Sequence, residues 1–217
     1  MISMKVRKYI HKTAKEQNLS VPDNYLDILD NYCKMTKEWG YKLFFKKIPY
    51  VNPHNLSAET VFHRIYVTPA WAAQLVLHDT DDTRNAFIMT LGHERTHDDK
   101  VYRFPLLAYL YFIRHVKEVY CDFGGAKKVC NSSRDKLIES IAYKMDFQKR
   151  SNKKDNEDCT HPSWERRRYY AENFDFGEKL IRQIAKDVKC RNQWLINSVI
   201  RSYDEIILIN NTKGDTN

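Results

Sequence analysis

The chain has 217 residues, a formal charge of +8, 42% hydrophobic residues and 29% charged residues. That balance is too apolar for a disordered chain and permits one substantial core. No apolar run approaches the roughly 20 residues of a membrane helix. The N-terminus lacks the apolar block of a secretory signal, so a cytoplasmic protein is expected.

Lys5–Gln17 and Asn24–Trp39 read as helices, the second with Tyr25, Leu26, Leu29, Tyr32 and Cys33 at helical spacing and Gly40 as a stop. Lys42–Ile48 reads as a strand ended by Pro49, and the β-branched, aromatic run His63–Thr68 as a second. Pro69–Leu77 is a short helix. The polar run from Asp79 to Thr83 offers N-caps for a long helix through His97. Pro105 opens a helix to about Ala126, and further helices span Arg134–Phe147, Phe176–Val188 and Gln193–Tyr203. Ser151–Asp158 has no apolar residue and reads as a surface loop, and the polar tail from Asn210 as frayed. The expectation is a helix-dominated α+β chain divided into N-terminal helices with a first strand (residues 1–49), a core (50–170) and C-terminal helices packed on it (171–217).

Cys33, Cys121, Cys130, Cys159 and Cys190 are widely spaced and form no CxxC pair, which argues against a disulfide framework or a cysteine zinc site. The positive charge is spread along the chain, so a nucleic-acid partner has only weak support.

The chemistry starts at Gly92-His93-Glu94-Arg95-Thr96-His97, which contains HExxH. Residues four apart share a helix face, so His93 and His97 can bind one metal ion. Glu94 is turned about 100° away, where it can act as general base toward an activated water. A catalytic zinc takes three protein ligands. Glu118, 21 residues after His97, suits the third position, and Asp122, one turn further, can orient a zinc histidine. A turn at Phe104-Pro105 would bring that helix back beside the first. His115 shares the face of Glu118 and is its rival. Asp98 and Asp99 read as solvated helix-end residues.

HExxH followed by Glu-x-x-x-Asp resembles the gluzincin arrangement. Thr160-His161-Pro162-Ser163-Trp164-Glu165-Arg166-Arg167 resembles a segment of the HtpX, CAAX prenyl protease and Oma-type metallopeptidases. Asn55–Ala58 and Ile65–Ala70 resemble segments that precede the zinc helix in that family, and the order matches from about Tyr50 to Tyr170. The resemblance implies a zincin-like fold with a small, mostly antiparallel sheet. It implies one Zn²⁺ held by His93, His97 and Glu118, with Glu94 as base and Asp122 behind a ligand. It further implies His161 as oxyanion donor and Arg167 as an anchor, with Arg166 and Arg168 competing for that role. His63–Thr68 would be an edge strand, its residues Ile65, Tyr66 and Val67 holding a peptide substrate by strand addition. Lacking a membrane helix, the chain is closer in plan to the soluble minigluzincins. Arg95 and Thr96 replace apolar residues usual within the motif, Cys121 replaces Ala, and the helices over Lys5–Trp39 lie outside the resemblance and are a possible cover for the cleft. The resulting expectation is a zinc endopeptidase. The alternatives are a DNA-associated metalloprotease, or a zinc-bound scaffold or partner-binding module without activity.

Overall fold

The structure, a computed structural model, describes residues 2–99, 110–151, 155, 157, 158 and 160–214, with side chains to 206. It is a helix-dominated α+β arrangement with nine helices and three strands among the described residues. The expected turn at Phe104-Pro105 and the start of the helix predicted from Pro105 lie outside those residues, as does part of the predicted Ser151–Asp158 loop.

Helix α1 (Met4–Glu16) buries Val6, Ile10 and Ala14, four residues apart, and is capped by Ser3. Helix α2 (Tyr25–Glu38) buries Leu29 and Thr36. Strands β1 (Lys42–Phe45), β2 (Ala58–Val61) and β3 (Arg64–Val67) then form one sheet in the order β1-β3-β2. β1 runs parallel to β3 and β2 antiparallel to it, so the sheet is mixed rather than mostly antiparallel. β3 is its middle strand, which corrects the expectation that His63–Thr68 lies at an edge. Both sides of β3 are paired, Ile65 and Val67 are buried in the core, and Tyr66 stacks on Phe44 of β1. These three residues therefore have no free backbone for a peptide. Within the sheet β1 and β2 each pair on one side only, and of the two it is β2 that lines the cleft described below.

Helix α3 (Pro69–Leu77) starts with proline at its first turn and is buried along nearly its whole length. It joins α1, α2, the sheet and helix α4 (Asp81–Thr96) in one apolar cluster centred on Trp71, Phe87 and Leu91. Thr80, among the expected caps, accepts the Thr83 N–H at 3.2 Å. Helix α5 (Tyr111–Cys130) joins α7 (Trp164–Asn173), α8 (Glu178–Asp187) and α9 (Gln193–Gly214) in a second cluster. α9 carries helical backbone past Asn210, where fraying was expected. A third cluster, with Met89, Ala126, Leu137 and Ile141, packs α6 (Arg134–Arg150) against α4 and α5. No described helix is long and apolar enough to cross a membrane.

α4 and α5 touch backbone to backbone. A Cβ on Gly125 would lie 2.6 Å from the His93 nitrogen, and one on Gly92 would lie 2.9 Å from the Gly125 carbonyl oxygen. Real side chains do not tolerate such contacts. These two glycines set the spacing at which side chains of α5 face the HExxH residues.

Gly125→Ala is therefore expected to cost about 1–3 kcal/mol in urea unfolding, the range for overpacking. Gly177→Ala, where an added Cβ meets open space, is the control and should change stability little. Equal stability of both variants would refute the close-crossing argument.

Candidate metal centre

The last turns of α4 bring His93, Glu94 and His97 to the wall of a cleft of about 670 Å³. His93 and Glu94 are buried, at 8% and 6% exposure, and the two imidazole Nε2 atoms lie 3.0 Å apart. Glu118, on α5 across the glycine contact, places its carboxylate 3.4 Å from His93 Nε2 and 3.6 Å from His97 Nε2. Three donors bound tetrahedrally to zinc at its usual bond lengths would stand about 3.3 Å apart, so these separations fit one ion.

A second donor set overlaps the first. His93, His97 and Cys121 also lie within 4.8 Å of one another and could hold a metal ion. Glu118 lines the cleft, whereas Cys121 is fully buried and does not. Burial, reinforced by Glu118, also pushes the Cys121 thiol well above its ordinary pKa. The cysteine spacing that argued against a CxxC site said nothing of a lone cysteine one turn from Glu118.

Asp122 stands behind His93. Its Oδ1 accepts from His93 Nδ1 at 2.9 Å, and because a carboxylate only accepts, the Nδ1 proton is fixed and Nε2 is the nitrogen that would give up its proton to bind a metal. Arg167 of α7 grips Asp122 with both Nε, at 2.7 Å, and Nη2. Its neighbours turn elsewhere, Arg166 to Glu157 and Arg168 to Glu172, so the three arginines are distinguished by burial and partner. Arg167 also lies 4.0 Å from the face of Trp164.

Burial and partners set the charges. Burial disfavours charged Asp122 and Glu118, but Arg167 and His93 hold Asp122, and His93 holds Glu118, well below the usual carboxylate range. Burial likewise opposes a charged His93, yet Asp122 and Glu118 raise its pKa to about 9. His97, half-buried beside His93, is pushed down to about 3 by burial and by His93 and stays neutral. Glu94 is raised by burial, an effect opposed by His93 and by a hydrogen bond from Thr60 Oγ1 to its Oε2 at 2.9 Å. Thr60 lies on β2, a strand of four residues without a fully buried position, too short for its pattern to stand out in the sequence.

His161 is about half exposed and lines the cleft, with Nε2 3.6 Å from Glu118. Its loop is tied by Asp158, whose Oδ1 accepts from Thr160 N, Thr160 Oγ1 and His161 N. Thr160 Oγ1 spends its proton on Asp158, so it accepts from His161 Nδ1 at 2.6 Å. His115, the sequence rival of Glu118, is fully buried outside the cleft lining, and its Nε2 donates to the Asp158 carbonyl oxygen at 2.9 Å. It supports the His161 loop from below. Asp99, expected to be solvated, instead accepts from Tyr120 and Lys128 and ties the end of α4 to α5. Asp98 lies at the cleft rim, 3.4 Å from His63. No residue of α1 or α2 lines the cleft.

Comparison with protein families, with curated proteins and with solved structures found no match, so the reading of this centre rests on its residues and their geometry.

Replacing Asp122 by Ala should free the His93 ring and weaken affinity for a divalent probe ion about 10–100-fold, measured by competition with a chromogenic chelator. Unaltered affinity would mean that Asp122 plays no part in orienting the ligand.

Proposed function

We propose that the protein is a zinc-dependent endopeptidase with a zincin-like core of the gluzincin type. The observation that carries this reading is the meeting of two HExxH imidazoles and the Glu118 carboxylate at 3.0–3.6 Å, with Glu94 left unengaged by them on the same cleft. His93, His97 and Glu118 would hold the ion, and an all-nitrogen-and-oxygen set of this kind suits zinc. Bound zinc supplies Lewis acidity toward water and a peptide carbonyl.

The chain's own residues divide the remaining work. Glu94 takes a proton from the attacking water and delivers it to the leaving amine. Its raised pKa brings it nearer the range of an effective acid–base group. Thr60 holds one of its oxygens and fixes its rotamer. His161 stands where it can stabilise the developing oxyanion. Because Nδ1 donates to Thr160, donation from Nε2 requires the imidazolium. Arg167 and Asp122 act through His93 as positioning residues.

Substrate recognition moves from β3 to β2. Ser57, Ala58, Glu59 and Thr60 line the cleft, and the unpaired side of β2 within the sheet can add an extended peptide by main-chain hydrogen bonds. Nothing in the arrangement favours nucleic acid over a peptide.

Glu94→Gln should retain the metal and lose at least about 10²-fold in kcat/KM on a peptide library, the scale for a removed acid–base group. Metal analysis and single-turnover cleavage of both forms check this. Wild-type protein that holds zinc yet shows no Glu94-dependent cleavage of any peptide would point to the scaffold alternative. His161→Phe should lower kcat by about 10²-fold with a smaller change in KM. An unchanged kcat would remove His161 from the reaction.

A further inference from the structure

Lys144 of α6 lies in the wall of the same cleft and is only 8% exposed. Lysine is almost never buried to this extent without a partner, because desolvating a lone ammonium is costly. No described carboxylate lies at ion-pairing distance from its Nζ, although the charges of Arg167, Asp122 and Glu94 act on it. Those nearby carboxylates are engaged elsewhere, Asp122 by Arg167 and His93 and Glu94 by Thr60. The ammonium contacts the Trp164 ring at 4.9 Å, which leaves its hydrogen-bonding capacity unspent. Burial and Arg167 lower its pKa only to about 8, so the charge persists at neutral pH.

One helical turn on, Gln148 has its Oε1 buried without a hydrogen-bond partner. Lys144, Gln148 and Trp164, with Leu56 and Ser57, line both the cleft and a side recess of about 70 Å³. That space holds roughly two water-sized groups, enough for a carboxylate. A lysine at 8% exposure with no described ion pair and a buried amide oxygen without a partner, one helical turn apart on the wall of the cleft, describe a site completed by its ligand.

We propose that Lys144 and Gln148 form an anion subsite that selects a carboxylate on the substrate, an acidic side chain or a free C-terminus, near the bond to be cleaved. The proposal rests on the peptidase reading for the nature of its ligand. Lys144 supplies a charge-assisted hydrogen bond to one carboxylate oxygen. Gln148 turns its amide to donate to the other oxygen, or accepts a peptide N–H. Trp164 closes the apolar side and excludes water, which strengthens the ion pair. Two other acidic groups on the cleft, Asp155 and Asp158, are tied in place. Asp155 accepts the Trp164 and Glu165 N–H groups that open α7, and Asp158 holds the His161 loop.

The test uses the full chain and peptide pairs that differ only as Glu against Gln at each position flanking the cleavage site. A second pair differs only in a free or amidated C-terminus. Binding is read by fluorescence anisotropy on Glu94→Gln protein, and kcat/KM on wild type. The carboxylate member of one pair should be favoured about tenfold or more. Lys144→Gln should bring that ratio to within about twofold, and Lys144→Arg should preserve it. The favoured pair identifies the source, side chain or C-terminus. The ratio is insensitive to a general loss of folded protein, and the wild-type pairs alone already test the proposal. Equal treatment of both members of every pair by wild type, or an undiminished preference in Lys144→Gln, overturns it. Lys144-dependent carboxylate binding without any cleavage sustains the subsite and sinks the peptidase reading. Glu94-dependent cleavage with no carboxylate preference sinks the subsite alone.

Discussion

The contact between Gly92 of α4 and Gly125 of α5 fixes how near two helices can come, and the centre inherits its dimensions from that approach. With no Cβ between them, the backbones meet, and Asp122, one turn before Gly125, reaches His93 at hydrogen-bond distance. Glu118, one turn earlier, arrives opposite both imidazoles. Side chains four residues apart on one helix thus serve His93 at its two nitrogens, the carboxylate of Asp122 at Nδ1 and that of Glu118 toward Nε2. α7 completes the support by sending Arg167 into the same buried space.

The charges gathered there explain why the parts must occur together. Three buried carboxylates, Glu94, Glu118 and Asp122, face two buried cations, Arg167 and Lys144. Each would be costly in isolation, and removing one partner from such a group leaves another uncompensated. A proton on His93 makes up the balance in the protein alone, and a divalent ion held by His93, His97 and Glu118 would do so with excess positive charge. The excess would suit the electron-rich carbonyl or carboxylate of the proposed substrate. The same low-dielectric surroundings that make the cluster costly make its electrostatic interactions strong.

Much of this was readable from residue spacing. His93 and His97 at i and i+4, and Glu118 and Asp122 at the same interval, announce two helix faces with complementary chemistry. Other features were hidden for physical reasons. β2 is only four residues long and has no fully buried position, because it lies at the sheet edge beside a polar cleft, so its pattern is that of a loop and the edge was assigned to β3. Gly125 reads as a weak helix residue until its neighbour is known. Lys144 reads as one solvated lysine among many, since burial of a charged residue in a helix leaves no mark on periodicity. The proximity of Cys121 to the imidazoles depends on where α5 crosses α4, which no local pattern encodes. Arg167 differs from Arg166 and Arg168 only by its direction from α7.

The central claim is that His93, His97 and Glu118 form one metal centre and that Cys121 stays outside it. X-ray absorption at the zinc edge on the metal-loaded protein tests it most directly, because sulfur and nitrogen or oxygen ligands differ by about 0.2–0.3 Å in bond length. The account predicts one zinc per chain with a shell of nitrogen and oxygen near 2.0–2.1 Å, imidazole scattering and no sulfur. A sulfur contribution near 2.3 Å, or a protein that fails to hold zinc in stoichiometric amount, would contradict it.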